Sequence, residues 1–282
     1  MTSEMPARRH VVRVTRGMPT QDGAGVSLTR LIGTQEIPDL DPILMLDNFG
    51  SDDPKAYIAG FPPHPHRGFE TVSYMIAGTL EHRDNKGGRG LITDGGVQWM
   101  TAGSGVVHSE MPQQTSGLMF GFQLWLNLPA SQKMRTPWYA DIPKEHIPEF
   151  DVAAGCRAKL VAGSWNGTRG PGPERPTDPF ICDIAIDAGR QVDVPVPDGH
   201  NGFVFVFGGS VAVGQHELGS GQLAILSHRG TSCICRAGPE RAASCWSPGK
   251  PLREPIAKHG PFVMNTVDEL RQAVSDYQRG LF

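Results

Sequence analysis

His64-Pro65-His66 sets two imidazoles two residues apart. On an extended segment alternate side chains point to one face, so both rings can converge on a single point. His108-Ser109-Glu110 repeats that spacing further along with one imidazole and one carboxylate. Two short strands, each offering two inward ligands, make a four-point cage for a metal ion. A lone His-x-His is common on polar loops; the pairing of both motifs, with turn glycines beside each, is what points to a metal. Glu70 has the same strand parity as His64 and His66, so spacing leaves Glu70 and Glu110 both open as the carboxylate. Three imidazoles and one carboxylate suit a first-row ion such as iron, manganese, copper or zinc. An octahedral ion would keep two adjacent positions open, as non-haem iron oxygen chemistry requires, whereas tetrahedral zinc would be closed and structural. His82, between Glu81, Arg83 and Asp84, reads as a solvated edge residue. His10, His146, His216, His228 and His259 have no partner at ligand spacing.

The elements around these motifs read as strands. Val11–Val14, Val26–Ile32, Pro42–Asp47, Gly68–Ala77, Thr79–Arg83, Val97–Thr101, Gly105–Glu110 and Phe120–Leu128 are apolar or alternating runs punctuated by turns. Gly17–Gly25 reads as a turn and Phe61–Pro65 as a loop. The Pro-rich, charged stretch Trp138–Pro148 reads as a linker. Six further strand candidates follow it: Arg157–Ala162, Phe180–Ile186, Phe203–Phe207, Val211–Gly214, Gln222–Leu226 and Ser232–Arg236. Gly163–Asp178 has the composition of a mobile surface loop. One helix is specified, where Thr266-Val-Asp-Glu269 forms a capping box and Val267, Leu270, Val274 and Tyr277 recur at helical spacing.

Composition agrees. The 282 residues include 35 Gly and 24 Pro, too many breakers for a helical protein, while 39% hydrophobic residues exclude global disorder. A formal charge of −3 argues against a general nucleic-acid binder. No apolar run approaches the roughly 20 residues needed to span a bilayer. Met1–Val14 lacks the apolar core of a signal peptide, and five Cys without a CxxC pair make no disulfide framework. The expectation is a cytoplasmic, all-β protein.

Phe61-Pro-Pro-His-Pro-His-Arg-Gly-Phe-Glu-Thr-Val-Ser-Tyr74 closely resembles the signature of pirins, a branch of the cupin superfamily. Gln98–Gly103 with Val107–Pro112 resembles the second pirin signature, and Pro251–Ile256 with His259–Thr266 resembles the C-terminal segment. Leu46-Asp-Asn-Phe49 stands where pirins often carry Asp-Glu-Phe or Asp-His-Phe. The resemblance implies a bicupin: two tandem antiparallel β-barrels (jelly rolls) and a short C-terminal α-helix. The implied division is 1–140 for a metal-bearing barrel, 141–155 for a linker, 156–265 for a metal-free barrel and 266–282 for the helix. Its implied ligands are His64, His66, His108 and Glu110, which makes Glu70 a packing residue. Pirins usually have Ala where Ser109 stands, a position pointing away from the metal.

Aligning the turn glycines of the two halves puts Pro195, Pro197 and Asn201 at the places of His64, His66 and Glu70. The same comparison puts Cys233 and Cys235 at those of His108 and Glu110, so the second barrel should be empty. The activity implied is that of a quercetin 2,3-dioxygenase, which opens a flavonol with O2 and releases carbon monoxide and a depside, with Glu110 as ligand and base. Iron(II) is the expected single ion, with zinc, manganese, copper, nickel and cobalt chemically open. A different reading is a metal-containing regulatory protein that docks on a transcription regulator or metabolic enzyme; a third is a cupin isomerase or hydrolase.

Overall fold

The computed structural model describes residues 7–282; residues 1–6, the start of the polar N-terminal stretch, lie outside the described residues. The chain divides into two compact units, each an antiparallel β-barrel.

The unit that holds the histidine motifs comprises Met18–His146 and Leu252–Phe282. Its larger sheet orders Trp138–Ile142, Val97–Thr101, Phe69–Ala77, Met119–Asn127, Ile43–Ser51, Val26–Ile32 and Met18–Asp22. Its smaller sheet orders Phe61–His66, Val106–Pro112, Leu80–Asp84 and Arg89–Ile92. Every pairing in both is antiparallel. The sheets face each other, since Ser73 Oγ on the larger lies 3.0 Å from Glu110 Oε1 on the smaller.

Three segments expected to be irregular are strands. Phe61–His66, expected as a loop, is the edge strand of the smaller sheet. Pro62, Pro63 and Pro65 have no N–H to donate, and an edge is where a sheet tolerates them. Met18–Asp22 pairs with Val26–Ile32, so the expected turn shrinks to the residues joining them. Trp138–Ile142, expected as linker, pairs with Val97–Thr101 and closes the edge of the larger sheet.

The second unit comprises residues 7–17 with Ile147–Pro251. It repeats the plan with a seven-stranded and a four-stranded sheet. Val11–Thr15 pairs with Gln222–Leu226, and the buried Arg9 side chain donates from Nε to the Gly230 carbonyl at 2.9 Å. The expected division at 140 and 265 therefore differs from the compact units at both ends. The N-terminal strand completes the barrel built mostly from the second half, and the segment after Pro251 completes the first. Glu149–Ala153, counted with the linker, is an edge strand on Cys156–Ala162. The interior is one continuous apolar cluster that includes Leu160, Ile184, Val194, Val204 and Trp246. Within Gly163–Asp178, Ser164–Trp165 and Thr168–Arg169 form a small hairpin, and Trp165 packs into that core.

The C-terminal segment adds an Ala257–His259/Phe262–Met264 hairpin and the helix Val267–Gln278. Thr266 Oγ1 accepts from Glu269 N at 3.2 Å while the Glu269 carboxylate accepts from Thr266 N at 2.9 Å, the expected capping box. The expected face is buried only in part: Leu270 and Val274 pack inward, joined by Ala273. Leu270 and Ala273 pack on Phe262, Met264 and Phe282, whereas Val267 and Tyr277 are exposed.

Candidate metal centre

His64 and His66 sit on the Phe61–His66 edge strand and His108 on its neighbour Val106–Pro112, where His108 lies opposite His64. One ring nitrogen from each of the three lies within 4.8 Å of the others, and ring centroids are 4.4–4.9 Å apart. His66 and His108 are almost wholly buried. Neither ring nitrogen of His66, nor Nε2 of His108, makes a well-formed hydrogen bond within the protein; only the Pro261 carbonyl comes near His66. Buried polar atoms without partners cost about 1–3 kcal/mol each, a cost that coordination of a metal ion would offset. Burial pushes the His66 imidazole well below the ordinary histidine range; the nearby His64 adds to this, and the Pro261 carbonyl weakly opposes it. His108 is lowered in the same way, by burial first and then by His66, His64 and His82. Both rings are therefore held neutral, the form with a lone pair for a metal.

The turn after His66 is clamped from several directions. Gly68 has φ +89°, and a Cβ there would meet the Val263 carbonyl at 2.0 Å. The Gly68 carbonyl accepts from the buried Lys133 Nζ at 2.7 Å, which also donates to Asn127 Oδ1 and the Val263 carbonyl. Arg67 Nε donates to the Ser104 carbonyl and its NH1 to Asp276 of the helix, each at 2.7 Å, with the guanidinium over the Phe282 ring. The His66 ring packs edge-on against Phe69 and Trp125. The helix, which carries no chemistry of its own, thus fixes the strand end that carries a ligand.

Glu110 follows His108 by two residues on the same strand, beyond a bulge in its pairing with the edge strand. Its Oε1 lies 3.0 Å from Ser73 Oγ and its Oε2 accepts from Gln123 Nε2 at 3.2 Å. Glu70 is engaged elsewhere: it is buried and accepts from Thr101 Oγ1 at 2.5 Å. A cavity of about 1020 Å³ opens onto His64, His66 and Glu110 and is walled by Leu28, Phe49, Phe61 and Trp125. The Trp125 ring stacks on Phe69 with centroids 4.2 Å apart. Such walls suit a flat aromatic molecule, with the imidazoles and a carboxylate at one side.

His82 corrects its expected place. It is not a solvated edge residue but fully buried, with Nδ1 3.2 Å from His108 Nδ1. His82-Arg83-Asp84 has the same alternate-residue spacing as the ligand motifs, and that was the available signal; the flanking Glu81 and Arg83 masked it. His10, His146, His216, His228 and His259 are exposed, as read.

In the other barrel Cys233 lies opposite Val194 and Cys235 opposite Val192, all four buried in the apolar core. Val192, Val194 and Val196 therefore face inward, and Pro197 is exposed. The alignment that put Pro195 and Pro197 at the histidine positions is displaced by one residue, which exchanges the two faces of a strand. Burial pushes the Cys233 thiol up to about 12, away from the thiolate a metal would need.

Residues 25–126 match the pirin family and residues 181–282 the pirin C-terminal cupin domain. A pirin-like protein of Caulobacter vibrioides is 44% identical over 99% of this chain and 100% of its own. Human pirin is 37% identical over 91% of this chain and 88% of its own. The crystal structure of a quercetin 2,3-dioxygenase from Acinetobacter baumannii superposes with a TM-score of 0.91 at 33% identity, covering 98% of this chain and 99% of that one. Two barrels of one plan, a histidine triad in the first and these full-length relatives agree: the chain belongs to the pirin family of the cupin superfamily.

Proposed function

We propose that this chain is a metal-dependent dioxygenase that opens a flavonol such as quercetin, with His64, His66, His108 and Glu110 holding one metal ion, iron(II) foremost. The observation that carries the reading is the set of three converging imidazoles, with unpartnered buried nitrogens, beside a cavity with aromatic walls. Support for the substrate comes from the Acinetobacter relative described as a quercetin 2,3-dioxygenase. The second barrel, with its filled apolar core, is proposed to carry no metal.

When bound, the metal supplies Lewis acidity toward the flavonol 3-hydroxyl and a redox centre for O2. The protein's own part follows from its residues. The neutral imidazoles hold the ion, and Glu110, acceptor-only when ionised, takes the 3-hydroxyl proton on a carboxylate oxygen. Ser73 and Gln123 hold that carboxylate by hydrogen bonds. Trp125, Phe49 and Phe61 confine the flat rings and keep the hydroxyl edge toward the histidines. For each flavonol, one O2 is consumed and one carbon monoxide leaves with the depside.

Among the described residues no helix is long and apolar enough to cross a membrane. The five cysteines are all free and buried, which suits a reducing cytoplasm. The test is anaerobic loading with iron(II), then quercetin and O2, with oxygen uptake and carbon monoxide measured together. Stoichiometric uptake and release, abolished in His66→Ala, is expected. Metal-loaded protein that takes up no O2 with any flavonol would overturn the substrate assignment.

A further inference from the structure

We propose that His82 and Asp84 are positioning residues that set the tautomer of His108, in a chain running from the Asp84 carboxylate to the metal-facing nitrogen. The inference rests on the metal-site reading above and not on the identity of the substrate.

The geometry is a line of polar atoms from two buried imidazoles to a carboxylate. His108 Nδ1 lies 3.2 Å from His82 Nδ1, and His82 Nε2 lies 3.3 Å from Asp84 Oδ2. His82 and His108 are 0% and 1% exposed. Asp84 Oδ1 accepts from the backbone N–H groups of Lys86 and Gly88, both at 2.8 Å. A Cβ on Gly88 would meet Asp84 Oδ2 at 2.2 Å, so the turn that seats the carboxylate requires glycine there. The Tyr139 ring lies 5.2 Å from the His82 ring at an interplanar angle of 30°, which fixes the plane of the second imidazole.

Proton counting orders the chain. A neutral imidazole has one N–H, so two facing nitrogens need one donor and one acceptor. The Asp84 carboxylate is acceptor-only and calls for the His82 proton on Nε2. His82 Nδ1 is then an acceptor and calls for the His108 proton on Nδ1. His108 Nε2, which has no partner in the protein, is left with its lone pair for the metal. The other two candidate ligands meet no second imidazole: His64 Nδ1 faces the local Pro62 carbonyl at 2.8 Å, and His66 has only the Pro261 carbonyl near it. Metal-binding histidines commonly give their second N–H to a carboxylate or carbonyl; here a second histidine is inserted between the two.

Asp84→Asn reverses the chain with almost no change of shape. The amide oxygen is held by the Lys86 and Gly88 N–H groups, so the amide NH2 takes the place of Oδ2 and faces His82 Nε2. That nitrogen becomes an acceptor, His82 Nδ1 a donor, and the His108 proton moves to Nε2, where it blocks the metal.

Long-range 1H–15N spectra of the metal-free protein read the tautomers, and chelator competition with Co(II) reads affinity. Expected are Nδ1–H on His108 and Nε2–H on His82 in the wild type. Asp84→Asn should invert both, with Co(II) affinity lower by about 10–100-fold, the usual cost of losing an outer partner. His108 with Nε2–H in the wild type overturns the proposal without any variant, as does unchanged Co(II) affinity in an Asp84→Asn protein whose tautomers have inverted. Wild-type protein that binds no Co(II) would instead overturn the metal-site reading, while the tautomers still judge the relay.

Discussion

His66 and His108 are costly as buried neutral imidazoles and useful for the same reason, because burial keeps their lone pairs unprotonated. His66→Ala should lower metal affinity by more than the roughly 100-fold upper range of outer-partner losses, read by chelator competition. Glu110→Gln keeps the shape but removes the proposed base, and kcat should fall by about 10²–10⁴, measured by oxygen uptake at saturating flavonol. Lys133 is the other buried polar group of consequence. Burial pushes its amine down to about 8, with only weak opposition from Glu254 and Glu269. Lys133→Met leaves the Gly68 and Val263 carbonyls and Asn127 Oδ1 without their donor, at about 1–3 kcal/mol for each buried group. Because the folded value lies below that of an unfolded lysine, the unfolded chain binds the proton more tightly between pH 8 and the normal lysine range. Stability from this group therefore grows as pH rises through that window. The gap in thermal midpoint between wild type and Lys133→Met should widen accordingly from pH 7 to pH 10.

At the scale of elements, the site depends on one edge strand and the turn that ends it. The strand donates few hydrogen bonds because three of its six residues are proline, so its end must be held from outside. The Arg67-Gly68 turn is held by Lys133, Ser104, Val263 and Asp276. Gly68→Ala forces a methyl group into the Val263 carbonyl. It should cost at least about 2 kcal/mol by denaturant unfolding and lower metal retention with it. Gly103→Ala, whose Cβ would meet the Arg135 carbonyl at 2.1 Å, is the matched test on the turn that leads from Val97–Thr101 into the His108 strand.

For the whole molecule, each barrel is completed by a segment from the far end of the chain. In the metal-bearing unit, Leu270, Ala273 and Phe282 close over Phe262 and Met264, and Asp276 holds Arg67 beside the ligand strand. Deleting residues 266–282 should lower both metal retention and the thermal midpoint of that unit. Calorimetry with metal analysis checks both. The two interiors differ although the plan is shared. One holds a large apolar cluster that takes in Leu160, Val194 and Trp246, whereas in the other a cavity opens beside the histidines.

Much of this was legible in the sequence because it depends on local periodicity. The alternate spacing of His64 with His66 and of His108 with Glu110, the capping box at Thr266 and most of the strands follow from bond geometry within a few residues. The choice between Glu70 and Glu110 lay beyond spacing, since both satisfy strand parity; only packing puts Glu70 against Thr101 and Glu110 on the cavity. His82 was hidden because its charged neighbours suggest an edge, and burial is a property of what packs on a strand. The inward Val192 and Val194 were missed for a related reason: matching turns leaves register uncertain by one residue, and one residue exchanges the faces of a strand. The sequence by itself determined the candidate ligand types and their alternate spacing, along with most of the strands. The tertiary structure decided which side chains meet, because convergence depends on pairing register and on closures between residues hundreds of positions apart.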